Sequence, residues 1–394
     1  MYKKISLITF IFILITYGLA FSQGNDYPDP ETNPESSLML TGDWVPENTH
    51  DIDFFNLPKV PSIHSVVDDV RYAWGRKTQQ HNYLVHYGGY FWAMWSDGPG
   101  VSRSDDPIAH RNIIPGHDQP GQLVSYSKSK DGINWSEPRD LAGPPDDGFG
   151  WIARGFWVYD GKLLALATRF NAPNYRGKGL QLHAFEMVTE QEREWKHKGL
   201  VFDNAMNNFS PKKIPTGEWM MTRRDSVGDV YMLVGAENGF NSWESYPVIG
   251  YQDGELHAEE PYWFVLPNDN LVAFFRDNRG SGYLFRAFST DNGRTWTRPV
   301  RTNFPDARSK FSGLRLSDGR YILVSNSNPE KRDPMTIAIS DDGMVFHTMG
   351  FLVGNRLIDY PHVIEHDGHI YVAFNSAKQS VEVLKIKISD LDNL

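Results

Sequence analysis

Three arginines, Arg169, Arg224 and Arg276, stand at corresponding strand ends of a chain with 49 acidic and 39 basic residues. A guanidinium holds a carboxylate or sulfate through paired, charge-assisted hydrogen bonds. Three of them together in an acidic chain suit an acidic sugar. Near the same strand ends the sequence offers groups that could move a proton or hold a sugar: Gln80, His81, Arg154, Lys212, His257, Glu260, Tyr360 and His362. Histidine exchanges a proton near neutral pH, and glutamate or tyrosine can act as acid, base or nucleophile. His81 and His86 do not read as a metal pair, because residues five apart on a strand face opposite sides. The chemistry calls for no organic cofactor or catalytic metal, and a structural ion is compatible with it.

The elements that position these residues are hairpins. Six pairs of β-rich runs flank the short turns Gly88-Gly89, Asp160-Gly161, Thr216-Gly217, Asn268-Asp269, Asp318-Gly319 and Asp367-Gly368. A tight turn rich in Gly, Asn and Asp between such runs is the strongest local hairpin signal. The hairpins recur about every fifty residues, a period that predicts an all-β propeller of six four-stranded blades. The segment before His81 closes the ring on the last blade or builds a seventh. In a propeller the start of each inner strand and the end of the next face one central mouth, which is where the residues above fall. The segment 97–122, with His110 and His117, is long for a blade connection and reads as a wall or lid.

Composition bounds the rest. With no cysteine, the chain needs no disulfide and has no thiolate chemistry. Residues 1–22, basic at Lys3 and Lys4 and then apolar, read as a cleavable secretory signal. Residues 23–60 read as a leader and ring-closing segment, and 61–394 as a single catalytic propeller. The expectation is a secreted or periplasmic monomer, off the membrane once the signal is removed. The formal charge of −10 argues against nucleic acid as a partner. The expected partner is an acidic oligo- or polysaccharide.

One turn carries a family signature. Ser289, Asp291, Gly293, Thr295 and Trp296 match the Asp box of sialidase-like β-propellers, and shorter versions occupy 129–135 and 340–346. The run from Glu259 to Asn328 resembles that superfamily most closely. True sialidases carry an Arg-Ile-Pro motif on the first inner strand, where this chain has His81-Asn82-Tyr83. Glu260 and Tyr360 nonetheless resemble the sialidase Glu/Tyr pair. The chain is also similar to the secreted propeller ulvan lyases, to an ulvan-oligosaccharide dehydratase and to propeller α-L-rhamnosidases. That resemblance implies a first-blade histidine and arginines that hold a uronate.

The reaction expected from this resemblance is β-elimination at a uronic acid. An arginine neutralises the carboxylate as charge develops, one group removes the C5 proton and another protonates the leaving oxygen on C4. Arg169, with Arg224 in reserve, is assigned to the carboxylate, His81 to the base, and His117 or Tyr360 to the acid. A sugar on C4 would make the enzyme a polysaccharide lyase, and a free hydroxyl a dehydratase. The alternatives are an exo-glycosidase of rhamnosidase or sialidase type, with His81 or Tyr360 as nucleophile, and a sugar-binding propeller without catalysis.

Overall fold

The computed structural model of the chain describes residues 33–71, 78–99, 118–173, 179–189 and 194–394. The secretory signal, His110 and His117 lie outside these residues. Twenty-four strands form six four-stranded antiparallel sheets. Each of the first five blades uses four consecutive strands, with the first innermost. All six expected hairpins form the inner edges. The described helices are two short 3-10 segments.

The sixth blade settles how the ring closes. Its three inner strands, Ile358–His366, His369–Ser376 and Ser380–Lys387, come from the end of the chain. The outermost, Ile63–Asp69, comes from the beginning and pairs Ile63 with Lys385 and Ser65 with Val383. The N-terminal segment therefore completes the sixth blade, and the described residues build six blades. Val67 sits in an apolar cluster with Leu84, Trp95, Val381 and Val383 that joins the sixth blade to the first. Upstream, the chain crosses the outside of the fourth and fifth blades. Arg286, buried in the fourth, donates from Nη1 to the carbonyls of Leu38 and Met344 and from Nη2 to that of Ser36.

All three Asp boxes join the third strand of a blade to its fourth, so all lie on the rim opposite the mouth. Asp291 accepts from the amides of Arg294 and Thr295 at 3.2 and 2.8 Å and from the Ser289 hydroxyl at 2.8 Å. Asp131 and Asp342 repeat the pattern on the amides of Ile133 and Asn134 and of Met344 and Val345. Burial alone would raise the Asp131 pKa, but these donors outweigh it and hold the carboxyl well below the usual range. Gly293, at φ +83°, leaves room for Met220 of the preceding blade, and Gly132 for Tyr371 of the sixth. The turns thus pin neighbouring blades together.

A charge in the closing strand tests its contribution. Val67→Asp should cost about 3 kcal/mol or more, because it buries an unpaired carboxylate at the seam. Urea denaturation measures this, and an unchanged midpoint would show that the strand adds nothing to stability.

Candidate active site

The mouth is built by a repeated irregularity. The inner strands Thr78–Tyr87, Phe149–Tyr159, Ala258–Val265 and Ile358–His366 each carry one extra residue relative to their partner strand. Such a bulge breaks the strict alternation of faces and re-aims a side chain. The residues at the four bulges are His81, Arg154, Glu260 and Tyr360. His81, Glu260 and Tyr360 have φ of +54°, +47° and +55°, and Arg308 at the mouth side of the fifth blade has +53°. Bulky residues rarely adopt this region, and they do so where the surroundings fix them.

A chain of ion pairs crosses the fourth blade. Arg224 Nη1 lies 3.1 Å from Glu259, Glu259 lies 3.7 Å from Arg276 Nη1, and that nitrogen meets Glu260 at 2.5 Å. All four side chains are buried. Burial alone would raise the pKa of Glu260, but Arg276, Arg224 and Lys310 overcome it and bring the carboxyl down to about 2. Glu260 is therefore ionised throughout the neutral range.

Tyr360 takes the opposite course. Burial pushes its phenol above the ordinary value, and the Glu260 carboxylate, the strongest charge acting on it, pushes the same way. Arg332 and Arg276 work against that shift. The His81 ring stacks on Tyr360 with centroids 4.7 Å apart, and the Asn82 amide donates to the Tyr360 carbonyl at 3.0 Å. Arg332 pairs with Asp359 in full burial, and its guanidinium lies 5.7 Å from the Tyr360 ring centre. Lys378 Nζ lies 5.1 Å from the same ring, and burial lowers its pKa to about 7. Asp306 is raised to about 7 by burial, opposed by Arg276 and Arg332.

Beneath the mouth, the Tyr83 hydroxyl donates to the Asn208 carbonyl at 2.8 Å and accepts from Lys310 at 2.9 Å. His362 accepts from the Leu84 amide at 3.1 Å, and burial, with Lys310 and Lys212 adding to it, takes its pKa down to about 3. Lys212 donates to the Trp263 carbonyl at 2.6 Å and lies over the rings of Tyr262 and Trp263. His362 and Lys212 thus tie blades together below the mouth. Gln80 is fully buried behind His81.

Of the residues singled out in the sequence, His81, Arg154, Arg224, Glu260, Arg276 and Tyr360 meet here. Arg169 does not. It pairs with Asp146 at 2.8 Å and covers the Phe149 ring. The reason is register. Arg276 pairs with Glu259, the residue just before the fourth-blade bulge, and the matching position in the second blade is Ala167 opposite Ala153. Arg169 is two residues further along, at the rim. His257 also sits at the rim, 3.0 Å from Arg279. His117 lies outside the described residues. Arg332, Lys378 and Asp306 went unnoticed in the sequence. The first two lie between the second and third strands of their blades, and the third between two blades. Mouth-side connections would have been found by searching for charges there as well as at strand ends. Among the described residues no group of three or more His, Asp and Glu side chains could hold a metal ion.

The low pKa of Glu260 makes a stability prediction. A carboxyl depressed from 4.5 to about 2 contributes fully above its unfolded value and loses that contribution as pH falls toward 2. Glu260→Gln should cost about 3 kcal/mol at pH 7, where it removes one partner of a buried pair. In urea denaturation the gap to wild type should narrow at pH 3; a gap of constant size would contradict the assignment.

The profile of the BNR repeat-like domain matches residues 230–372, from the third blade into the sixth. A search of curated protein sequences finds no match. Among solved structures, a protein of unknown function from Dyadobacter fermentans superposes with a TM-score of 0.64 at 17% identity, over 84% of this chain and 100% of that one. The intramolecular trans-sialidase from Ruminococcus gnavus gives 0.58 at 13% identity, over 83% and 98%. Trypanosoma rangeli sialidase in complex with 2,3-difluorosialic acid gives 0.61 at 13%, over 86% and 60%. Six four-stranded blades, Asp boxes on one rim and these likenesses of fold show that the chain has the β-propeller fold seen in the sialidases, with BNR-like repeats over residues 230–372.

Proposed function

We propose that the chain is a glycan-active enzyme that takes an acidic sugar at the mouth of the ring, with Tyr360 as the reacting residue. The observation that carries this reading is the setting of Tyr360: a buried phenol under the charge of ionised Glu260, opposed by Arg276 and Arg332, with His81 stacked on its ring. In the favoured reaction the Tyr360 oxygen attacks the anomeric carbon as the bond to the leaving oxygen breaks. The phenol proton passes toward Glu260 and the leaving oxygen takes a proton from solvent; water then attacks the same carbon, breaks its bond to Tyr360 and gives up a proton, while the proton held at Glu260 returns to the phenol. A neutral phenol approaches an anionic sugar without the repulsion that a carboxylate nucleophile would meet. Arg276 and Arg332 favour the phenolate as it forms, and they suit a sugar carboxylate through their remaining donors. A similar fold solved with 2,3-difluorosialic acid is described as a covalent intermediate, which is consistent with this chemistry.

The His81 stack favours a second reading, β-elimination at a uronate of an ulvan-like glycan. His81 would remove the C5 proton, Tyr360 would protonate the leaving oxygen, and Arg276 and Arg332 would take the carboxylate role first given to Arg169. Residues 1–22 would direct the enzyme out of the cytoplasm, which mature N-terminal sequencing would test.

Incubation with sialosides, rhamnosyl-glucuronate and ulvan oligosaccharides separates the readings. Displacement releases free sugar, whereas elimination gives an unsaturated uronate that absorbs in the ultraviolet. Tyr360→Phe should reduce turnover by about 10²-fold or more without changing the melting temperature. His81→Ala should do the same only if elimination operates. Turnover that survives in Tyr360→Phe would overturn the proposal, and absence of either product would leave a sugar-binding propeller.

A further inference from the structure

Arg154 stands apart from the other guanidiniums of the mouth. Arg224 has Glu259, Arg276 has Glu259 and Glu260, and Arg332 has Asp359. Arg154 pairs with no carboxylate among the described residues. Its Nη2 rests on the Met206 sulfur, while Nε and Nη1 have no hydrogen-bond partner there. The residue is 1% exposed. Even so, it occupies the second-blade bulge, the place that His81, Glu260 and Tyr360 occupy in theirs. The Tyr83 phenol, which also interacts with it as a hydrogen-bond partner, Arg224, Glu260 and Asp118 all act on its charge, so it belongs to the same cluster.

A buried cation with no directly paired carboxylate and two unmet donors costs stability, and replacing such a group with an apolar one of similar size often stabilises the fold. A group kept at that cost, at a position repeated around the mouth, has the chemistry of a receptor for an absent anion. We propose that Arg154 binds an anionic group of the substrate, a carboxylate or a sulfate, apart from the acid group facing Arg276 and Arg332. Resting on the proposed function, this makes the substrate a glycan with two anionic groups, one held at the second blade and the other at the fourth and fifth. The planar guanidinium presents Nε and Nη1 along two different edges, so each can donate to an oxygen of either group.

The test uses the full chain, with Arg154→Met and Arg154→Lys as variants and inorganic sulfate and glucuronate as probes. Without probe, Arg154→Met should melt at or above the wild-type temperature. In calorimetric titration wild type should take up the preferred anion at two sites and Arg154→Met at one. Arg154→Lys should retain the second site at roughly tenfold or more weaker affinity, having lost the planar set of donors. A two-site response to sulfate identifies a sulfated glycan, and a response to glucuronate alone identifies a second uronate. Titrations that do not distinguish Arg154→Met from wild type, or a lower melting temperature together with unchanged uptake, would make Arg154 a packing residue and overturn the proposal. Tyr360→Phe should keep both sites, so a failure of the proposed reaction would leave this result readable on its own.

Discussion

The mouth depends on a single backbone constraint, the extra residue that each of four inner strands carries near its start. A regular strand would turn alternate side chains away from the axis, and a residue next to a buried core position would face the wrong blade. The bulge removes that limit over one step. It lets Asp359 pair with Arg332 while Tyr360, the next residue, meets His81. The left-handed backbone at His81, Glu260 and Tyr360 is the local cost, of order 1–3 kcal/mol each. The aromatic clusters between blades and the Asp-box turns on the far rim offset it.

On this frame the ionic groups are arranged by pairing. Glu259 and Glu260 hold Arg224 and Arg276 in fixed places, so the field these groups set up at Tyr360 is preorganised. The same burial acts in opposite directions on different groups. It lowers Lys378, Lys212 and His362 and raises Asp306 and Tyr360. Where guanidiniums crowd a carboxylate, as at Glu260, charge overcomes desolvation. A permanently ionised carboxylate therefore lies beside a neutral phenol, a division of roles set by the environment of each.

Much of the architecture was legible because tight turns and alternation are local signals. The six hairpins and the three Asp boxes follow from a few residues each. Tyr360, Glu260 and Arg276 were found because each sits at the start or end of an inner strand. Arg169 satisfied the same rule and failed, since a one-residue bulge at Arg154 and two further steps along the partner strand carry it past the mouth. Bulge positions are not written in residue type: Gln80-His81-Asn82 and Glu259-Glu260-Pro261 share no pattern that marks the extra residue. Arg332 and Lys378 lie in connections, where no periodicity assigns a direction to a side chain.

The seam that joins the sixth blade to the first is also where His81 meets Tyr360. The Gln79 amide donates to the Lys378 carbonyl across it, and the Leu84 amide to His362. These contacts form between residues nearly three hundred positions apart, and strand 63–69 can pair only after 380–387 has been made. During synthesis the earlier blades can assemble in order, while the ribosome must deliver almost the whole chain before the His81 and Tyr360 rings come together. A nascent or truncated chain would therefore carry a nearly complete ring whose mouth is unfinished, and the mouth would take its shape only when the last strand docks.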